Sequence, residues 1–201
     1  MDESMERAGN FLPRVERRVN LPVRQEEGLV AITSPGSVAA EQYRVLYHRL
    51  ERARLEHGLR VVALTSAVSG EGKSLTAANL ALVAAAADPQ KKVLLVDADL
   101  RRPRLGWLLN VEERPGLGEF LEGEASLPEV VRRVQGSSVM LIPAGAPRDD
   151  PGALVGGATM RHFLEQARER FDEIYLDVPP VLPVADGAML AAMAAGVLAG
   201  V

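Results

Sequence analysis

Cysteine is absent from the 201 residues. That excludes disulfides and thiolate metal sites, and it fits a reducing cytoplasm. A strong charge of either sign is also missing. The net charge is −4, and nothing in the overall balance points to nucleic acid. Long hydrophobic runs are lacking too. The most apolar stretches, Ala81 to Ala87 and Ala188 to Val201, are Ala-rich and fall short of the roughly 20 residues that a spanning helix needs. Near the N-terminus Arg7, Arg14, Arg17, Arg18 and Arg24 stand among acids, with no apolar core of a secretory signal. These absences predict a cytoplasmic protein that reaches the inner face of a membrane only through a partner.

What is present is ordinary for a globular domain: 47% hydrophobic and 25% charged residues. A chain of this length can bury roughly 70% of its unfolded surface as one domain. Residues 1–36 read as an arm or linker, with both charge signs and prolines at 13, 22 and 35. Within it, Gly28 to Ile32 has the pattern of an edge strand. The domain proper is assigned to residues 37–201. A helix is predicted over 37–57, capped by Ser37, with Val38, Tyr43, Leu46 and Leu50 near a helical period and Gly58 as the stop.

From there the pattern alternates. Strands are predicted at Leu59 to Ser66, Lys92 to Asp97, Val139 to Pro143 and Glu173 to Val178. Helices are predicted at Ser74 to Ala87 and over 151–170, the latter with Asp150 as N-cap and Pro151 in the first turn. Such alternation implies an α/β fold, a mostly parallel central sheet with helices on both faces.

The segment Ala67-Val-Ser69-Gly70-Glu71-Gly72-Lys73-Ser74-Leu75 joins a predicted strand to a predicted helix, which is the setting of a P-loop. Gly70 and Gly72 let the backbone curl so that successive N–H groups converge on a phosphate. The helix that follows adds its N-terminal dipole. Ser69 through Leu75 are the candidate ATP-binding residues. Lys73 would reach the β/γ-phosphates and the Ser74 hydroxyl would bind Mg²⁺. The first position of the motif is Ala67 rather than Gly, so the match is a relaxed one.

Two predicted strands end in acids, at Asp97 with Asp99 and at Asp177. Ligands of open parallel sheets sit at the carboxyl ends of the strands. Asp97 and Asp177, with Ser74, are therefore candidates for Mg²⁺. Asp97, Asp99 and Lys73 are the candidate catalytic groups, with Asp97 the leading base. The competing reading is that these aspartates cap turns. Arg101, Arg102 and Arg104 follow directly, as a solvated basic turn or as contacts to phosphate or a neighbouring subunit.

At these residues the chain resembles the bacterial tyrosine kinases of capsule and exopolysaccharide synthesis. The resemblance rests on the P-loop and on Val96-Asp97-Ala-Asp99-Leu-Arg-Arg-Pro103. It rests further on Pro115-Gly-Leu-Gly-Glu-Phe-Leu-Glu-Gly123, Leu141-Ile-Pro-Ala-Gly145 and Phe171 to Asp186, in that order, and it spans about residues 35–200. It implies the P-loop NTPase fold and Mg-ATP-dependent autophosphorylation on tyrosine. It also implies a homo-oligomeric ring and a membrane adaptor, the polysaccharide co-polymerase. Three departures follow. The family's tyrosine-rich tail is missing, only Tyr43, Tyr47 and Tyr175 being present. The ring motif is represented by Glu41 and Arg44, with Tyr47 in place of its last arginine. The chain stops where a core strand begins, so it is expected to be incomplete at its C-terminus. Two alternatives stand beside the kinase. One is a partitioning or division-site ATPase switch, disfavoured because Val68 occupies the position of that group's additional lysine. The other is a catalytically impaired ATP-binding interaction module.

Overall fold

A computed structural model describes residues 28–182 and 185–199. The basic residues of the arm before Gly28, Pro183 and Val184 within the last motif, and the chain end at 200–201 lie outside the described residues.

Strands β1 (Val61–Thr65), β2 (Val93–Asp97), β3 (Arg132–Arg133), β4 (Met140–Ile142), β5 (Glu173–Asp177) and β6 (Gly196–Ala199) form one sheet in the order β3-β4-β2-β5-β1-β6. Only β3 and β4 pair antiparallel. Successive residues of a strand point to opposite faces, and the core divides accordingly. Val61, Ala63, Leu94, Val96, Ile174 and Leu176 join one apolar layer; Val62, Leu64, Val93, Leu95 and Tyr175 join the other.

Helices α1 (Val30–Thr33), α2 (Val38–His57), α3 (Lys73–Ala87) and α4 (Leu105–Leu108) cover the second layer. Helices α5 (Leu117–Leu121), α6 (Leu127–Val130), α7 (Gly152–Val155), α8 (Ala158–Arg170) and α9 (Ala185–Met193) cover the first. The α/β fold with both faces covered is thus borne out. Helix α3 is apolar nearly all round because it lies between the sheet and α2.

Local signals explain the element ends. The Ser37 side chain accepts a hydrogen bond from Ala40 N–H at 3.1 Å, and Gly58 closes α2 in the left-handed region at φ +66°. Val38 is exposed, whereas Tyr47 turns inward.

The structure corrects two expectations. Gly28 to Ile32 forms a turn and α1, not an edge strand. The Asn79 side chain donates to Gly28 O (2.8 Å) and accepts from Ala31 N–H (3.0 Å), so these backbone groups have no need of a ladder. Leu29 is buried beneath, and β6 occupies the sheet edge instead. The helix expected over 151–170 is two helices. Pro151 is the N-cap of α7 rather than part of a long first turn, and Gly156-Gly157 separates α7 from α8. A Cβ on Gly156 would meet Met189 Cε at 2.0 Å, so the break is also where α9 packs close. Strand β3 went unread, since two arginines carry no strand pattern.

Candidate active site

Strand β1 runs directly into the glycine-rich loop. Gly70 and Gly72 hold φ +93° and +84°, a region that a Cβ disfavours. The loop is braced by its own groups. Ser66 Oγ donates to Val68 O at 2.8 Å, and Val68 N–H donates to the Glu71 carboxylate at 3.1 Å. The first helical bond of α3 runs from Thr76 N–H to Gly72 O (2.9 Å), so the N–H groups of Lys73, Ser74 and Leu75 precede the helical ladder. Ser69, Gly70, Glu71 and Gly72 are exposed, Lys73 and Ser74 are buried, and the Leu75 side chain packs on Gly28. For Leu75, then, only the main chain belongs to the loop mouth.

Two of the three candidate acids, Asp99 and Asp177, meet at the lysine. Lys73 Nζ lies 2.8 Å from Asp99 Oδ2 and 3.2 Å from Asp177 Oδ1. Asp97 and Asp177 face each other in register on β2 and β5. Each acid has a different setting. Asp97 accepts the N–H groups of Arg104 and Leu105 on Oδ2, both at 2.9 Å, and that of Asp99 on Oδ1 at 3.2 Å. It therefore does shape the turn after β2. Asp99 bridges Lys73 on Oδ2 and the Arg102 N–H (3.0 Å) on Oδ1. The Ser74 side chain lies close enough to pull the Asp177 carboxyl down, and Asp177 Oδ2 is buried with no hydrogen-bond partner.

Burial and charge act against one another here. Burial works to neutralise Lys73, but Asp177 and Asp99 outweigh it and hold the ammonium above its ordinary value. Burial first, and then the charge of Asp177, push the Asp97 carboxyl up to about 8, against the pull of the Leu105 and Arg104 N–H groups. Asp177 is also raised, by burial first, with Lys73 and Ser74 opposing.

The basic turn separates into different roles. Arg101 Nε pairs with the buried Asp186 at 2.7 Å, and its Nη1 reaches Asp149 O. The Arg104 guanidinium lies over the Trp107 ring, 4.8 Å from its centroid. Arg102 is exposed, with Nη1 3.5 Å from Ser69 Oγ.

Two structural roles went unread in the sequence, those of Glu119 and Asp186. Glu119 accepts from Gly116 N–H (2.9 Å) and Ala146 N–H (3.0 Å), tying two of the quoted motifs together. An acid three residues after Gly116 at a helix start is a capping signal that was there to be read. Asp186 carried no local signal, because its partner Arg101 is distant in sequence.

The residues present fit a Mg²⁺ ion. Ser74 and the unpartnered Asp177 Oδ2 are hard oxygen donors side by side. Among the described residues no group of three His, Asp or Glu forms a cage. Mg²⁺ in phosphate sites is commonly held by one or two protein oxygens, with phosphate and water supplying the rest.

A glycine-rich strand-to-helix loop, whose lysine faces carboxylates at the ends of parallel strands, defines a P-loop NTPase. No family model matches the chain. It is 35% identical over 179 residues to the tyrosine-protein kinase YwqD of Bacillus subtilis (strain 168), covering 89% of this chain and 75% of that protein. It is 34% identical over 172 residues to the succinoglycan biosynthesis transport protein ExoP of Rhizobium meliloti (strain 1021), covering 84% of this chain and 22% of that protein. The kinase domain of the Escherichia coli tyrosine kinase ETK superposes with a TM-score of 0.82 at 30% identity, covering 100% of this chain and 74% of that one. The septum site-determining protein MinD of Pyrococcus horikoshii, complexed with Mg-ADP, gives a TM-score of 0.57 at 26% identity, covering 70% and 57%.

The chain belongs to the bacterial tyrosine-protein kinases. It spans three quarters of YwqD and less than a quarter of the longer ExoP. No helix among the described residues is long and apolar enough to cross a membrane.

Proposed function

We propose that this chain binds Mg-ATP at the P-loop and transfers the γ-phosphoryl group to tyrosine, in the control of exopolysaccharide or capsule synthesis and export. The observation that carries this reading is the convergence of Lys73, Asp99 and Asp177 at the mouth of the loop, with Asp97 in register beside Asp177. Gly70, Glu71 and Gly72 present the main chain to the phosphates, and Lys73 moves from its carboxylates to the β/γ-phosphates. Ser74 and Asp177 would hold Mg²⁺, which would neutralise charge on the phosphates. A bond forms between the tyrosine oxygen and the γ-phosphorus as the bond from that phosphorus to the β,γ-bridging oxygen breaks. ADP leaves, and the hydroxyl proton passes to Asp97.

Burial excludes Tyr47 and Tyr175 as acceptors in the folded chain, which leaves the half-buried Tyr43 or a tyrosine of another chain. A homo-oligomer through α2 uses Glu41 and Arg44. These pair with each other at 2.7 Å on the exposed face, so a second copy would have to exchange that pair. We place the chain in the cytoplasm, held at the membrane by an adaptor of the polysaccharide co-polymerase kind.

The test is calorimetry with Mg-ATP on the chain and on Lys73→Met, followed by phosphotyrosine detection with a tyrosine-containing acceptor. Binding lost in the variant and tyrosine phosphate gained in the parent are expected; binding without any tyrosine transfer would sink the kinase reading. The likeness to MinD keeps a division-site ATPase switch as the second reading. Nucleotide-dependent dimers that hydrolyse ATP and transfer nothing to tyrosine would favour it.

A further inference from the structure

The three arginines after β2 form one basic turn in the sequence, but the fold leaves only Arg102 facing the P-loop. Arg101 is held by Asp186 and Asp149, and Arg104 lies on Trp107. Arg102 has no carboxylate partner among the described residues, and its guanidinium sits at Ser69 in the loop. Its backbone is fixed on the same side as the P-loop lysine, because Asp99 takes the Arg102 N–H on one oxygen and Lys73 on the other.

The charge balance of the site calls for another cation. Asp99 and Asp177 already share the one ammonium of Lys73, at 2.8 and 3.2 Å. A nucleoside triphosphate brings about four further negative charges, of which its Mg²⁺ offsets about two. The P-loop main chain wraps the α- and β-phosphates, while the lysine reaches outward to the β/γ pair. Arg102, tethered beside that lysine through Asp99, approaches the loop from a different strand end. Arginine suits the place, since its planar fork pairs with phosphate oxygens and its charge is permanent.

We infer that Arg102 is a second cationic phosphate contact, made to the terminal phosphate, and that it makes the site select nucleoside triphosphate over diphosphate. This rests on the ATP reading above.

The experiment is calorimetry of Mg-ATP and Mg-ADP on the parent chain, Arg102→Ala, Arg102→Lys and Arg161→Ala. The last removes an exposed arginine of α8 and controls for net charge. Arg102 is exposed, so its variants should melt with the parent. Arg102→Ala should weaken Mg-ATP roughly tenfold, the loss expected of one charge-assisted hydrogen bond. Mg-ADP should change by less than about twofold on the same ground. Arg102→Lys should recover part of the ATP affinity, and Arg161→Ala should change neither. Equal weakening of both nucleotides by Arg102→Ala, or no weakening of either, overturns the assignment while leaving the ATP site intact. A folded parent chain that binds neither nucleotide overturns the ATP reading, and this inference with it.

Discussion

At Glu119, burial and hydrogen bonding pull in opposite directions, and hydrogen bonding wins. Burial alone would raise its pKa, but the Ala146 and Gly116 N–H groups, aided by Arg148, hold it below the ordinary glutamate value of 4.5. Arg114 adds an ion pair at 3.4 Å. A folded pKa below the unfolded one gives stability that is present above the unfolded value and lost as pH falls through the folded value. Gly116 N–H and Ala146 N–H point at different oxygens of Glu119, so Glu119→Gln puts an amide donor where one of them already points. It is expected to cost about 1–3 kcal/mol at neutral pH. Urea unfolding of parent and variant should show that gap narrowing on acidification below about pH 4.5. A gap that stays constant into acid would contradict the depressed pKa. The same competition holds Lys73 charged in a buried site, which the residue types forecast and only the contacts explain.

Among the elements, the turn into α5 and the end of β4 are locked together. Leu117 N–H donates to Pro143 O (2.7 Å) and Gly118 N–H to Ala144 O (2.9 Å). A Cβ on Gly116 would lie 2.2 Å from Gly145 N and 2.4 Å from Pro143 O, both main-chain atoms with no freedom to yield. Gly116→Ala is therefore expected to destabilise the fold by about 1–3 kcal/mol, read from the shift of a denaturant midpoint at unchanged slope. The docking of α1 is a separate unit. Asn79 reaches from α3 to Gly28 and Ala31, while Leu75 of α3 packs on Gly28. Asn79→Ala should cost about 1–3 kcal/mol. By hydrogen exchange, amide protection should be lost over residues 28–33 before it is lost in the sheet. Uniform loss through the sheet would mean that α1 is not separately held.

Across the molecule, the two ends of β5 do different work. Asp177 at its carboxyl end pairs with the P-loop lysine. Glu173 at its start anchors a buried polar network on the opposite rim. Glu173 is paired with Lys91 at 2.9 Å and Arg54 at 3.4 Å, and it accepts the hydroxyls of Tyr47 (3.2 Å) and Tyr175 (2.7 Å). This network fastens α2 to the sheet. Removing the carboxylate leaves Arg54 as an uncompensated buried charge. Glu173→Ala is expected to cost about 3–5 kcal/mol while leaving the Mg-ATP affinity of the remaining folded protein unchanged. A parallel loss of affinity would show the two rims to be coupled. The network also holds two tyrosines away from solvent. In an ATP reaction of the folded chain, mass spectrometry should find no phosphate on Tyr47 or Tyr175. Rapid labelling of either would contradict their burial.

The sequence by itself determined the scaffold and the phosphate loop. Strands with apolar runs, the Ala-rich α3 and the sequence Gly70-Glu71-Gly72-Lys73-Ser74 are local patterns, set by the period of the backbone and the freedom of glycine. That Asp97, Asp99 and Asp177 would gather at the strand ends was legible too, since parallel topology puts all carboxyl ends on one side. Gly28 to Ile32 was misread because its hydrogen-bond partner, Asn79, is distant in sequence. The break at Gly156-Gly157 was missed because the need for it lies in the approach of α9. Only the tertiary structure decided which aspartates bridge Lys73, and which of three adjacent arginines is left for the P-loop. Those outcomes depend on contacts between residues far apart in the chain, such as Arg101 with Asp186, and no local pattern encodes them.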